Sequence, residues 1–204
     1  MNRPSRDLLI PGALSAVILA GAVALVAMSL RQPELPSFAR SVPDPSEVGQ
    51  ALDGPRVYTV DAGSEDRWHF FDFSVGSEVE RPGPLEWDLA FRRFHVIANG
   101  GDGFAGSGGI IDMVDVPWDS IQAVSTLGYA TSDAGRDSIN TAVARWYDYG
   151  FSTHVLSPKG HAYAVRTADG RYAKMEILSY YCLGAQPGCV TIRYVYQGDG
   201  SPTF

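Results

Sequence analysis

The chain has 204 residues and carries 23 acidic against 16 basic side chains, a net charge of −7. A dispersed acidic balance excludes the nucleic-acid-binding class, because phosphate recognition requires a basic face. Aromatic residues make up 11% of the chain, beside 22 glycines and 13 prolines, a composition typical of strands and turns around one core.

The first element in chain order is an apolar segment. Residues Leu8 to Leu30 contain no charged side chain, and as a helix they would span roughly 34 Å against a hydrocarbon core of about 30 Å. A cleaved signal peptide is the alternative, but its apolar region is only about 7–15 residues and ends in a small-residue site. The sequence therefore predicts a cytoplasmic N-terminus over residues 1–7 and a single transmembrane helix in the lipid bilayer over residues 8–30.

The charges beside this segment predict its orientation. Arg3 and Arg6 precede it, Arg31 and Arg40 follow it, and the N-terminal flank is short. A short basic flank favours an N-terminus inside the cell. We therefore expect a single-pass protein of a bacterial inner membrane, with everything after residue 30 in the periplasm.

The two cysteines agree with an oxidising compartment. Cys182 and Cys189 enclose a loop that contains glycine and proline, which suits a tight reversal. A disulfide there would contribute roughly 2–3 kcal/mol and would persist only outside the cytoplasm. A metal site needs more ligands than two thiols, so none is predicted.

Residues 31–55 are rich in proline and poor in large apolar groups. They predict an extended tether, semi-rigid where prolines cluster, that lies across a neighbouring surface or in solvent. Residues 56–204 then form one periplasmic domain.

The domain begins with strands. Residues 68–75 are aromatic and predict one strand, and residues 87–97 predict a longer one with His95 on the face of Trp87, Leu89 and Phe91. The glycine-rich residues 99–109 predict a mobile or tightly turned loop, and residues 109–113 a further strand.

The middle of the chain shows the only helical signal in the domain. Ser132 or Asp133 can cap a helix that continues through residues 138–146 at helical spacing, and Pro117 suits the start of a shorter one. Residues 161–168 and 171–181 then predict a hairpin turned at Asp169-Gly170, and alternation from Val190 predicts a third strand. The fold class is mainly β and antiparallel, with one or two helices after the membrane helix.

Several blocks of this sequence together resemble the HmuY family. They are Trp87–Phe91, Asn99–Gly101, Trp146–Tyr149, Thr153–Pro158, Tyr163–Met175 and Ile177–Tyr181. The similarity extends over roughly residues 57–197. It implies a mostly antiparallel β domain on the bacterial cell envelope. The best-known family members are haemophore-like lipoproteins that hold haem between two side chains, His in some and Met in others. This chain departs from them by a membrane helix in place of a lipidated cysteine, and the resemblance assigns no ligand residue.

The histidines are the candidates for a haem site. His95 and His154 are the candidate haem ligands, although a hydrogen-bonded structural role explains either one. His69 and His161 are expected to be exposed strand residues. Met113 and Met175 could ligate iron, yet methionine commonly fills gaps in a core.

No catalytic signature appears. Gly101 to Gly106 satisfies the dinucleotide pattern, but that motif requires a helix inside a βαβ unit, and more glycines follow instead. Acidic pairs such as Glu78/Glu80 and Glu86/Asp88 are expected to be solvated on strand faces. The chain is not expected to be an enzyme.

Two functions remain. The first is a non-catalytic accessory subunit of a larger inner-membrane complex, respiratory or photosynthetic, that binds partner subunits through the tether and β domain and needs no cofactor. Small residues along the helix permit close helix contact. The second is an anchored binder of haem or another tetrapyrrole.

Overall fold

A computed structural model describes residues 6–30, 34–135 and 138–204. Contacts divide them into two units, each of which is described by itself. One unit holds the described residues up to Glu34 together with Tyr149–Leu156, and the other holds Leu35–Asp148 and Ser157–Phe204. We call the second one the β unit.

The N-terminal segment is helical, as predicted. The helix α1 runs over Arg6–Leu30, and large apolar side chains on it are exposed, among them Leu14, Val17, Ile18 and Leu30. Within the described part of the chain, however, we find no helix whose length and apolar character suffice for a membrane crossing. The transmembrane assignment of residues 8–30 is therefore not supported. Residues 1–5 and 31–33, which include Arg3 and Arg31, lie outside the described residues.

Among the described residues, fourteen strands and two short 3-10 helices follow α1. The strands are β1 (Ser37–Phe38), β2 (Leu52–Asp61), β3 (His69–Asp72), β4 (Ser77–Val79), β5 (Leu89–Arg92), β6 (His95–Ala98), β7 (Gly109–Asp112), β8 (Ser132–Asp133), β9 (Ile139–Asn140), β10 (Tyr147–Gly150), β11 (Val155–Pro158), β12 (Ala162–Arg166), β13 (Tyr172–Cys182) and β14 (Gln186–Gln197). The 3-10 helices are Trp118–Ser120 and Leu183–Ala185.

A six-stranded sheet dominates the β unit. Its order is β2-β14-β13-β12-β7, and β1 pairs in parallel with β13. The predicted hairpin and third strand are confirmed and form a meander, since β12, β13 and β14 are consecutive antiparallel neighbours. Gly170 has a φ of 87° in the turn between β12 and β13, a conformation that glycine adopts at little cost.

The second sheet corrects one prediction. Residues 87–97 are not one strand but the hairpin β5–β6 in the four-stranded order β4-β3-β5-β6. The chain reverses at Arg93, whose φ is 53°. Arg92 pairs with His95, so alternation places His95 on the face of Ala90 and Arg92. The predicted face, shared with Leu89 and Phe91, is wrong.

The predicted helix over residues 132–146 is also wrong. The chain forms the short pair β8–β9 and then turns. Asn140 explains the difference, because its side chain donates to the carbonyl of Ala130 at 2.8 Å and accepts from the amide of Ala142 at 3.1 Å. Hydrogen bonds of an Asn side chain to backbone groups compete with a helix. Residues 136–137 lie outside the described residues, and a short 3-10 helix does follow Pro117, as expected.

Aromatic side chains fill the core where the two sheets face each other. Phe71 of β3 and Phe73, which follows this strand, contact Tyr194 of β14, with ring centroids 5.5 and 5.2 Å apart, and Phe73 also stacks on Tyr196. All four are fully buried. Burial of this apolar area is the main force that holds the sheets together.

Residues 35–55 of the predicted tether belong to the β unit and bond to its other residues. Ser41 bonds to Thr59 through both its amide and its hydroxyl, each at 3.0 Å, and the amide of Val48 donates to Ser74 at 2.9 Å. The sheet strand β2 already begins at Leu52. The chain itself therefore orders this segment, and its order does not require a partner.

The glycine-rich loop of residues 99–109 is tightly turned, which is one of the two predicted alternatives. Asn99 accepts the amide of Gly108 on its carbonyl at 2.8 Å and that of Gly106 on its side chain at 3.2 Å. The carbonyl of Gly100 accepts the amide of Ser132. Contacts within the chain fix this loop as well.

The predicted disulfide is confirmed. Cys182 and Cys189 are bonded, with their Cα atoms 4.9 Å apart. The bond joins the ends of β13 and β14 at the loop that connects them. It closes the meander at one end.

Candidate functional site

A cleft of about 700 Å³ opens beside β3 and β4. We call it the His69 cleft. Strand residues form one wall, and the segment that precedes β2 contributes the other. The lining residues are Arg40, Ser41, Pro43, Asp61, Arg67, Trp68, His69, Phe70, Glu78, Val79, Glu80 and Arg81.

His69 is the histidine of the lining, and an imidazole is a common ligand of transition metals. Its Nδ1 lies 3.2 Å from Oε1 of Glu78, while Nε2 has no partner among the described residues. The other carboxylate oxygen of Glu78 accepts the amide of Asp61 at 3.4 Å. A carboxylate on one ring nitrogen fixes the orientation of an imidazole and leaves the other nitrogen available for a metal.

His69 and Glu78 both differ from the expectation that they are exposed. The side chains are only 22% and 11% exposed, and burial raises the pKa of the Glu78 carboxyl, opposed by its hydrogen bonds to Asp61 and His69. The sequence signal was weak. It consisted only of a histidine between Trp68 and Phe70. The partner carboxylate lies on the next strand, so no local sequence pattern connects the two residues.

The apolar part of the cleft is aromatic. Trp68, Phe70 and Val79 are half-buried, and the Phe70 ring meets Trp87 edge-on at 5.1 Å. The guanidinium of Arg92 lies over the Trp68 ring at 4.5 Å, a cation–π contact. The wall therefore offers ring faces and edges to a flat apolar ligand.

The charged part of the cleft is only partly paired. Arg40 binds Asp61 at 2.8 Å, and Glu78 binds His69. Arg67 and Arg81 are exposed and form no ion pair within the described residues. Two guanidinium groups therefore remain available to an anion.

The structure places the two candidate ligands in different units. His95 lies in the β unit at the start of β6, half-buried, with its ring 4.4 Å from that of Phe94. His154 lies in the unit with α1, at a φ of 56°, and its Nδ1 contacts the hydroxyl of Tyr149. Neither lines the His69 cleft, and their role as haem ligands stays a prediction.

The remaining candidates have structural partners. Nδ1 of His161 binds the carboxylate of Asp112 at 3.0 Å and is half-buried instead of exposed. Met175 is fully buried, and Met113 packs against a core cluster. No group of three or more metal-binding side chains occurs in residues 6–30, 34–135 and 138–204.

Asp88 was expected to be solvated on a strand face, but its side chain is buried. Its two carboxylate oxygens accept the amides of Phe73 at 2.9 Å and Ala168 at 2.8 Å. Burial raises the pKa of this carboxyl, and the neighbouring Asp72 raises it further. The acid joins the second sheet to the turn between β12 and β13, which is a structural role.

The nucleotide-binding pattern has no support in the geometry. Gly101 to Gly106 form a closed loop, and the next element is the strand β7. A dinucleotide site requires that loop to open a helix.

Fold and site together define a class: an antiparallel β protein with a cleft that one histidine lines. The profile of the family described as HmuY protein matches residues 64–194, which is more than half of the chain. The chain belongs to the HmuY family. No curated protein matches the sequence.

Solved structures have the same fold. A protein of Bacteroides vulgatus described as a HmuY-like heme-binding protein is 19% identical, with a TM-score of 0.56 over 76% of this chain and 97% of that one. A protein of Bacteroides fragilis described as a lipoprotein is 15% identical, with a TM-score of 0.55 over 75% and 95%. The apo HmuY analog of Tannerella forsythia is 13% identical, with a TM-score of 0.57 over 74% and 99%. At these identities the likeness shows the mainly β, antiparallel fold.

Proposed function

We propose that the chain is a non-catalytic haem-binding protein of the bacterial cell envelope. Its family membership and the heme-binding description of the Bacteroides vulgatus relative support the ligand. The single observation that carries the site is His69, held on one nitrogen by Glu78 in a cleft of about 700 Å³.

The residues of the cleft fit haem. The cleft volume lies within the range of about 300–1,000 Å³ that is common for ligand sites. Four of its twelve lining residues are apolar or aromatic, and seven are ionisable. His69 would hold the iron as an imidazole ligand, and Trp68 and Phe70 would contact the ring. The free ring nitrogen of His69 would donate its lone pair to the iron, and Glu78 would keep the imidazole oriented for that bond.

Titration of the full-length protein with hemin in mild detergent tests this function. We expect saturable uptake at one hemin per chain, with a shift of the Soret band. His95→Ala and His154→Ala should keep this uptake, since neither side chain lines the cleft. Absorbance that follows free hemin throughout the titration would contradict the proposal.

We also propose an attachment role for α1. The lipoprotein relative supports an envelope location, and the exposed apolar side chains of the helix support contact with lipid. Membrane fractions should retain the protein through an alkaline carbonate wash, and a variant that lacks residues 6–30 should be released. Release of the intact chain would rule out this attachment.

The accessory-subunit role is a second candidate, favoured by the same exposed helix surface. Apolar residues such as Val17, Leu19 and Val26 are each at least 60% exposed, and a partner helix could cover them. In that case the protein should co-purify in fixed ratio with a larger inner-membrane complex. A monomer that elutes alone from mild detergent would eliminate this role.

A further inference from the structure

We propose that Arg67 and Arg81 form a carboxylate-binding pair at one end of the His69 cleft, which selects a planar ligand with anionic arms on one edge. This inference rests on the proposed function and specifies its ligand class. It goes beyond the histidine, because it concerns the charges on the cleft that the chain leaves unpaired.

The pairing of charges leads to these two residues. Among the cationic side chains of the cleft, Arg40 is neutralised by Asp61 at 2.8 Å. Among the acidic ones, Glu78 is engaged by His69 and the amide of Asp61. The two remaining arginines face only one remaining acid of the lining, Glu80.

Strand register places the two arginines at the same end of the cleft. β3 and β4 are antiparallel, with Phe70 opposite Val79 and Phe71 opposite Glu78. The start of β3 therefore lies beside the end of β4. Arg67 comes two residues before β3, and Arg81 comes two residues after β4.

The backbone around Arg67 is fixed. The amides of Arg67 and Asp66 both donate to the hydroxyl of Ser64, at 2.9 and 3.3 Å. Trp68, the next residue, is held under the guanidinium of Arg92 at 4.5 Å. The position of the Arg67 Cα is thus set before any ligand binds, which lowers the entropic cost of binding.

The order of chemistry across the cleft then specifies the ligand. The two unpaired arginines lie at one end of the cleft. The aromatic side chains of Trp68 and Phe70 lie next to them, and His69 stands between these two aromatic residues in the sequence. A flat apolar body with two carboxylates on one edge meets all three features at once. Guanidinium forks bind carboxylates with two parallel hydrogen bonds.

Paired titrations with hemin and with hemin dimethyl ester test the inference. The ester keeps the ring and iron but has no carboxylate. We expect the full-length protein to bind hemin roughly tenfold more tightly than the ester, since charge-assisted bonds to Arg are lost. The double variant Arg67→Ala/Arg81→Ala should bind the two ligands with equal affinity, and its affinity for the ester should be unchanged.

Arg145→Ala is the matched control, because this exposed arginine does not line the cleft. It should retain the preference for hemin. Equal binding of both ligands by the wild type, or a preserved preference in the double variant, would overturn the arginine pair while haem binding stands. Uptake of neither ligand would overturn the proposed function, and this inference with it.

Discussion

Asp88 shows how much one side chain can determine in this fold. Its carboxyl is buried between the sheets and accepts one backbone amide on each oxygen, while its own carbonyl accepts the amide of Asn99 at 2.9 Å. These bonds favour the ionised form, and desolvation opposes it. Burial is the larger effect, so the pKa of Asp88 lies well above the ordinary value of about 4.

Asp88→Asn should lower the free energy of unfolding by about 1–3 kcal/mol, because the amide cannot accept on both sides and leaves one buried N–H unpaired. The raised folded-state pKa means that the folded state holds the proton more tightly than the unfolded state. The contribution of this proton to the free energy of unfolding is therefore complete below the unfolded-state pKa of about 4. It declines as pH rises and is lost once pH has passed the folded-state pKa. Denaturant unfolding of the full chain from pH 5 to 9 measures both effects.

The control for this prediction is Asp66→Asn, which changes an exposed carboxyl. It should unfold like the wild type at each pH. An Asp88→Asn variant with wild-type stability and the same decline with pH would show that Asp88 is not the group responsible.

At the scale of elements, the glycine loop depends on close backbone approach. A Cβ at Gly100 would lie 2.0 Å from the carbonyl oxygen of Gly108 and 2.5 Å from its amide nitrogen. The backbone of Gly108 cannot move away without disturbing its hydrogen bond to Asn99 within the loop. The sequence showed the glycines but not which of them face each other.

Gly100→Ala should therefore cost about 3 kcal/mol or more in the free energy of unfolding. Gly83→Ala is the matched control, because its added Cβ would meet only the flexible carboxylate of Glu86 at 3.1 Å. Thermal unfolding of the two variants compares them directly. An equal loss of stability in both variants would contradict this prediction, because it would mean that the backbone shifts to remove the close contact at position 100.

Sequence patterns within a few neighbouring residues predicted the strands and turns that such short stretches determine. Alternation and the Asp169-Gly170 turn correctly predicted the β12–β13 hairpin. The reversal at Arg93 was not predictable, because a positive φ at a non-glycine residue leaves no mark in the sequence. The apolar spacing of residues 138–146 fitted a helix, but the hydrogen bonds of Asn140 with distant backbone decided otherwise.

The site was less predictable than the fold for the same reason. The partner of His69 is Glu78 on the next strand, and the opposite wall comes from Arg40 to Pro43, which sequence places in a tether. A cleft that four separate segments build has no periodicity of its own. The predicted ligands His95 and His154 were chosen by residue type and neighbourhood alone.

At the scale of the whole molecule, the β unit combines a rigid support with a cleft. The core of the two sheets and the disulfide between β13 and β14 fix the support. The cleft lies at β3 and β4 of the smaller sheet and is completed by the segment before β2. Stable binding sites are commonly built in this way, with ligand-contacting groups on rigid elements.

The central claim is that His69 holds the ligand, and hemin titration of His69→Ala beside His161→Ala tests it most directly. Both histidines are paired with a carboxylate, but only His69 lines the cleft. We expect His69→Ala to weaken hemin affinity by at least roughly tenfold and to change the Soret band, and His161→Ala to behave like the wild type. Wild-type affinity in His69→Ala would contradict the account.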